Sequence, residues 1–180
     1  MAKWKLSVRD LCYIATGSAL LAVCAWLSVP FTIPFTLQSF GVCLLAALLG
    51  LRRGTLAVLI YLLLGAAGLP VFSGFKAGLG VLIGVTGGYL LGFLLLALAV
   101  GFASDRCPGR RLPLALGMLV GMLLCYAFGT AWFVVVYSRS NSAIGVLAAL
   151  NLCVFPFLLP DALKGALALL LVRRLRPFIR

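Results

Sequence analysis

Histidine is absent from this chain of 180 residues, and its acidic side chains number three: Asp10, Asp105 and Asp161. The six cysteines, at 12, 24, 43, 107, 125 and 153, form no CxxC pair or other metal-ligand spacing. One isolated acid after another, with no histidine and no metal cluster, leaves an intramembrane enzyme little catalytic machinery. The phosphate-cradling pattern GxxxxGK[ST] is missing as well, which argues against ATP binding. Charge is scarce throughout. Only 10% of residues are charged and 64% are hydrophobic, whereas a soluble domain carries about a quarter charged residues. Segments of alternating polarity, the mark of a membrane barrel, do not occur. What remains is an all-α integral membrane protein, whose length suits one transmembrane bundle over residues 1–180.

The net charge of +12 would suggest nucleic acid in a soluble chain. Its distribution gives a simpler account. Twelve of the fifteen basic residues fall into four clusters, which are Lys3, Lys5 and Arg9; Arg52 and Arg53; Arg106, Arg110 and Arg111; and Arg173, Arg174, Arg176 and Arg180. Apolar segments separate them, as the positive-inside rule expects of cytoplasmic loops and tails, with no nucleic-acid partner required. If all four clusters share one side, the chain crosses an even number of times between neighbours. Six transmembrane helices with both termini cytoplasmic follow, at about 11–29, 36–51, 55–69, 85–103, 113–137 and 160–173. The first of these is too long for a typical signal core and reads as a retained span. The first outer turn lies at "PFTIP", where two prolines stop a helix. The third outer connection starts with "SRSNS" and continues through a segment too apolar for a free loop, so a short helix is expected at the outer surface. Several spans fall short of the roughly 20 residues a crossing takes, which places the outer connections over the bundle as a cover.

Four groups stand out against this apolar background. Asp161 and Lys164 lie three residues apart, on one helical face and within reach of each other. Pro160 suits a first helical turn, where an acid complements the dipole, but a cation there opposes it. The pair is therefore better explained as an acceptor and a donor for a polar ligand than as architecture. Second, the segment "GLPVFSGFKAGLGVLIGVTGGYLLGF" makes a poor continuous helix. Its glycines and Lys76 suit an outer loop that brings backbone close to a ligand. Third, Ala15 and Ala19, with Ala22 continuing the stripe, let another helix approach, from this bundle or from a second protein. Fourth, Thr36, Gln38 and Ser39 put polar side chains at the outer start of the second span, where they cap the helix or face the same compartment as Asp161.

The glycine segment, the "PFTLQ" turn and the "PDALK" of the last span resemble the BioY family, the biotin-binding S components of energy-coupling-factor vitamin transporters. The resemblance runs from about Leu6 to Arg174. It implies a multi-pass protein of the prokaryotic cytoplasmic membrane that captures biotin from outside, with biotin as cargo and no cofactor. It implies partners as well, a transmembrane coupling subunit and two ATPase subunits, and leaves a homodimer open. Asp161 and Lys164 map onto the family's ligand-binding acid and lysine, Gly74, Gly87, Gly88 and Tyr89 onto its pocket, and Ala15 and Ala19 onto the stripe that meets the coupling subunit. The chain departs from the family's usual pattern at Val85, Pro160 and Lys76. Biotin's chemistry suits the residues: Asp161 can accept from a ureido N–H, Lys164 can donate to a carbonyl or carboxylate, and Phe72, Tyr89 and Trp132 can cover the apolar ring. Lys76 and Arg139 make the outer face positive, and Gln38 adds an amide. An S component for another vitamin, a stand-alone carrier and a ligand-free membrane scaffold are the competing readings.

Overall fold

The computed structural model describes residues 7–30, 33–140 and 145–179. Seven helices occur among them: α1 (Val8–Trp26), α2 (Gln38–Ala66), α3 (Leu79–Ile83), α4 (Gly87–Arg106), α5 (Arg111–Ser140), α6 (Val146–Cys153) and α7 (Phe155–Ile179). Five of these, α1, α2, α4, α5 and α7, are long and apolar enough to cross a membrane. A short antiparallel pairing joins α1 to α2, with β1 (Ser28–Val29) against β2 (Phe35–Thr36) and Ser28 opposite Thr36.

The second and third expected spans are the two arms of α2, which reverse at Gly50. Gly50 has φ 80° and ψ −175°, a conformation essentially closed to residues with a Cβ. The reversal is tight. A Cβ on Gly54 would come 2.7 Å from the Ala46 Cα, and at the far end the Gln38 amide donates to the Tyr61 hydroxyl at 2.7 Å. Each arm is shorter than the about 20 residues of a full crossing. They are covered by protein instead: 61% of the apolar window of α2 is buried, against 28% for α5 and 22% for α7. Helix α2 therefore sits at the centre, between α1, α4 and α7, while α5 packs along the far side of α4.

Two of the three carboxylates fasten the basic end of the bundle. Asp10 closes a capping box with Ser7 at the start of α1, and its Oδ1 lies 2.6 Å from Arg53 Nε just beyond the Gly50 turn. Asp105, near the end of α4, accepts from the Leu51 backbone N–H at 2.9 Å, satisfying the first donor of the second arm. Arg176 donates to the Ser104 carbonyl at 3.2 Å and Arg9 to the Ile179 carbonyl at 3.5 Å. Residues from all four basic clusters thus gather at one end. At the opposite end lie the β1–β2 turn, the glycine-rich connection and α6.

Two sequence expectations are corrected here. Helix α7 begins at Phe155 rather than at Pro160, so Asp161 lies inside the helix and gains nothing from its N-terminus. The start moves because α7 follows α6 across the single residue Val154, leaving Pro160 to cost one internal hydrogen bond. Helix α5 runs on to Ser140, so the first part of "SRSNS" is helical; the rest lies outside the described residues. The expected short outer helix is α6, and the glycine segment breaks as expected into a 3-10 turn (Ser73–Phe75), the five-residue α3 and the start of α4.

Gly50→Ala should lower the stability of the purified protein by about 1–3 kcal/mol, as read from unfolding in detergent. Gly165→Ala, whose added methyl would meet nothing within 4 Å, should leave it unchanged or raise it.

Candidate functional site

Helices α2, α5 and α7 converge on one buried ion pair. Asp161 and Lys164 are each 8% exposed, with Lys164 Nζ 2.9 Å from Asp161 Oδ1. Burying either charge alone would cost several kcal/mol, so each must carry partners inward. The Ser39 hydroxyl donates to Asp161 Oδ1 at 2.8 Å and the Tyr126 hydroxyl to Oδ2 at 2.5 Å. Lys164 also donates to the Thr36 carbonyl at 2.6 Å and to Ser39 Oγ at 3.4 Å. Its ammonium stands 3.9 Å from the centre of the Phe35 ring, a cation–π arrangement.

These bonds leave the two charges in different states. Lys164 has three protein acceptors within hydrogen-bond distance, the Ser39 contact being the longest at 3.4 Å. A carboxylate offers about four lone-pair positions, and Asp161 uses three, for Lys164, Ser39 and Tyr126. By this count Asp161 retains an acceptor position, while Lys164 has a protein acceptor for each of its donors. The pair also fastens α7 to α2 and α5. The sequence assigns it to ligand chemistry in preference to architecture, whereas the structure shows that it has an architectural role as well.

Asp161 and Lys164 form part of the wall of a cavity of about 380 Å³, within the range of small-molecule sites. The rest of the wall is mainly apolar, with aromatic rings from Phe72, Tyr89, Phe93 and Phe157. Gln38 and Ser39 contribute from α2, Tyr126 from α5, and Lys76 with Val81 and Gly84 from the glycine-rich cover. That cover is anchored. The Trp26 indole donates to the Pro70 carbonyl at 2.9 Å, Tyr61 to the Val71 carbonyl at 3.1 Å, and Gly78 N–H to the Gly65 carbonyl at 2.7 Å. Phe72 is buried because Gly65, on the second arm of α2, leaves room for its ring.

Of the residues singled out from the sequence, Asp161, Lys164, Gln38, Phe72, Lys76 and Tyr89 all line this cavity. Gln38 is held in place by Tyr61 and by the Thr36 hydroxyl, which donates to its Oε1 at 3.0 Å. Lys76 is exposed, and among the described residues no carboxylate pairs with it. Gly74, Gly87 and Gly88 stand off the wall. Gly74 sits in the 3-10 turn at φ 68°, Gly87 makes room for the Leu82 carbonyl, and Gly88 makes room for Trp132. Trp132 likewise belongs to the scaffold, donating its indole N–H to the Gly84 carbonyl at 3.0 Å. Arg139 is exposed in the last turn of α5. Ala15 and Ala19 are exposed on α1, but Ala22 is buried inside the bundle and does not continue their stripe outward. Sequence reasoning missed Tyr126, which supplies the shortest bond to Asp161, and Phe93 and Phe157. In sequence they are aromatics in apolar runs, with nothing to distinguish them from core.

Comparison with known proteins gives one consistent result. The BioY family matches residues 1–180. The chain is 41% identical over 170 residues to the biotin transporter BioY of Thermotoga maritima, covering 94% of this chain and 96% of that one. It is 35% identical to a probable biotin transporter BioY of Pyrococcus horikoshii, covering 95% and 98%. Its fold resembles the crystal structure of the S-component for biotin from an ECF-type ABC transporter, with a TM-score of 0.82 and 27% identity over 94% of this chain and 92% of that one.

Tyr126→Phe keeps the ring and deletes only the hydroxyl on Asp161. It should cost about 1.5–3 kcal/mol of stability without ligand, measured by unfolding in detergent; a variant as stable as the parent would mean that this bond holds nothing.

Proposed function

Because the chain belongs to the BioY family, we propose that it captures biotin in this cavity and serves as the substrate-binding S component of an energy-coupling-factor transporter. It is a transporter component rather than an enzyme, and biotin is its cargo rather than a cofactor. The observation that carries the assignment of the site is Asp161, a buried carboxylate with one acceptor position left, on the wall of a largely apolar cavity. Biotin's ureido ring brings two N–H donors and one carbonyl, its thioether ring is apolar, and its tail ends in a carboxylate. A ureido N–H fills the open position on Asp161. Tyr89, Phe93 and Phe157 enclose the apolar ring. The tail carboxylate meets Lys76, the cation on the wall with donors to spare; Lys164 holds Asp161 in place and closes α7 onto the Thr36 carbonyl.

The protein crosses the prokaryotic cytoplasmic membrane six times, each arm of α2 counting as a crossing, with both termini in the cytoplasm. The reversal at Gly50 and the gathering of the basic clusters at one end support this orientation. The cavity then opens outward. Energy comes from two ATPase subunits through a transmembrane coupling subunit, which docks on the exposed Ala15–Ala19 face of α1.

Equilibrium binding of labelled biotin to the purified protein tests the site. Asp161→Asn should weaken it by about thirtyfold or more, because a desolvated charge pair is broken. Lys76→Met, at an exposed position, should weaken it by about fivefold at most. Unlabelled biotin should compete and unrelated vitamins should not; affinity that survives Asp161→Asn would place the ligand elsewhere. Ala15→Phe with Ala19→Phe should spare this binding and reduce co-purification of the coupling subunit. For topology, reporter fusions after Arg180 and within 138–142 should lie on opposite sides, and a shared side would remove the six-crossing arrangement.

A further inference from the structure

A second cavity, of about 450 Å³, lies at the basic end between the α4–α5 turn and the last turns of α7. Arg110, Arg111, Arg173 and Arg176 line it, over a floor of Leu114, Leu169 and Val172. Of the chain's three acidic side chains, Asp10 pairs with Arg53 and Asp161 with Lys164, and Asp105 accepts from the Leu51 N–H. Among the described residues no carboxylate pairs with Arg110, Arg111 or Arg173. The cleft is therefore suited to an anion held by Arg110, Arg111 and Arg173.

Its apolar floor continues upward. Leu169 is shared with a furrow of about 300 Å³ between α5 and α7, lined by Ala115, Met118, Gly165 and Ala166 and ending behind Tyr126 and Asp161. The furrow exists because α5 packs along α4 and touches α7 little, with the Tyr126–Asp161 bond joining them at the top. The small residues of α7 leave it empty of side chains: a Cβ on Gly165 would meet nothing within 4 Å. A basic pocket that opens into an apolar channel, both at the edge of the bundle, has the shape and polarity of one amphiphile.

We propose that the α5–α7 furrow binds a single anionic phospholipid, its phosphate on Arg110, Arg111 and Arg173 and one acyl chain running past Leu169 and Gly165. In the orientation given above this is a lipid of the cytoplasmic leaflet. An acidic protein segment would satisfy the arginines but would leave the furrow unfilled, and free phosphate would do the same. The bound chain takes the place of packing that α5 and α7 do not give each other.

The test is lipid titration of the full-length protein in neutral detergent, read by native mass spectrometry. Dioleoyl phosphatidylglycerol should bind one to one, and dioleoyl phosphatidylcholine and glycerol 3-phosphate far more weakly. Arg110→Gln, Arg111→Gln and Arg173→Gln together should weaken phosphatidylglycerol binding on the order of a hundredfold. Gly165→Leu, which fills the furrow, should weaken it by at least about tenfold while melting cooperatively. Should that variant fail to fold, dihexanoyl phosphatidylglycerol on the parent protein gives the same information, since chains too short to fill the furrow should bind at least about tenfold more weakly. Equal binding of the two dioleoyl lipids, or undiminished binding by the triple variant, would overturn the proposal. Glycerol 3-phosphate binding as tightly as the lipid would make the cleft a free-phosphate site, and insensitivity to both furrow filling and chain length would remove the acyl chain from it.

Discussion

In hydrocarbon no water stands by to satisfy a polar group, so each one that enters must bring its partner with it. Asp161 meets that demand inside the bundle, and the other two carboxylates fasten junctions at its basic end. Asp10 caps α1 and ties it to the Gly50 reversal through Arg53. Asp105 supplies the acceptor for the first N–H after that reversal. Asp161 gathers Ser39, Tyr126 and Lys164 from three helices. Without Asp161 its three donors lose their shared acceptor, since the other two acids lie at the opposite end of the bundle.

The same constraint explains where the cavity lies. The arms of α2 are too short to span alone, so other elements must cover their outer ends, and the glycine-rich connection does so by packing Phe72 against Gly65 and Tyr61. Space left under that cover, beside the polar start of α2 and the inward face of α7, is the cavity proposed for biotin. In the proposed function the charges there serve two ends. Lys164 holds the fold closed through Thr36 and Asp161, and in doing so presents Asp161 with one acceptor position unfilled. In the proposed site, fold closure and ligand recognition share this one hydrogen-bond network.

Much of the architecture is legible without coordinates. Apolar runs of near-span length, separated by basic clusters, identify the bundle and the common side of its basic turns. Prolines and glycines mark the turn at 30–34 and the broken segment at 68–86. Asp161 and Lys164 are conspicuous because charge in an apolar run is expensive wherever it points. Boundaries are less legible. Pro160 is a strong local signal for a helix start, yet α7 begins at Phe155, because proline inside a helix costs one hydrogen bond and packing can absorb it.

The membrane setting, the common side of the basic turns and the two charges buried in the last span can all be read from the chain, because composition and polarity act locally and leave their mark on every segment. What those charges touch depends on how the helices pack. Ser39, Tyr126 and the Thr36 carbonyl reach the pair from 122, 35 and 128 residues away, and no local pattern separates Tyr126 from any other aromatic in an apolar helix. The tertiary structure likewise decides that Gly87 and Gly88 serve close packing against Leu82 and Trp132 instead of lining the cavity, and that Ala22 points inward while Ala15 and Ala19 point out. Which face of a helix meets a partner depends on where the neighbouring helices come to rest, and that is settled by packing across the whole bundle.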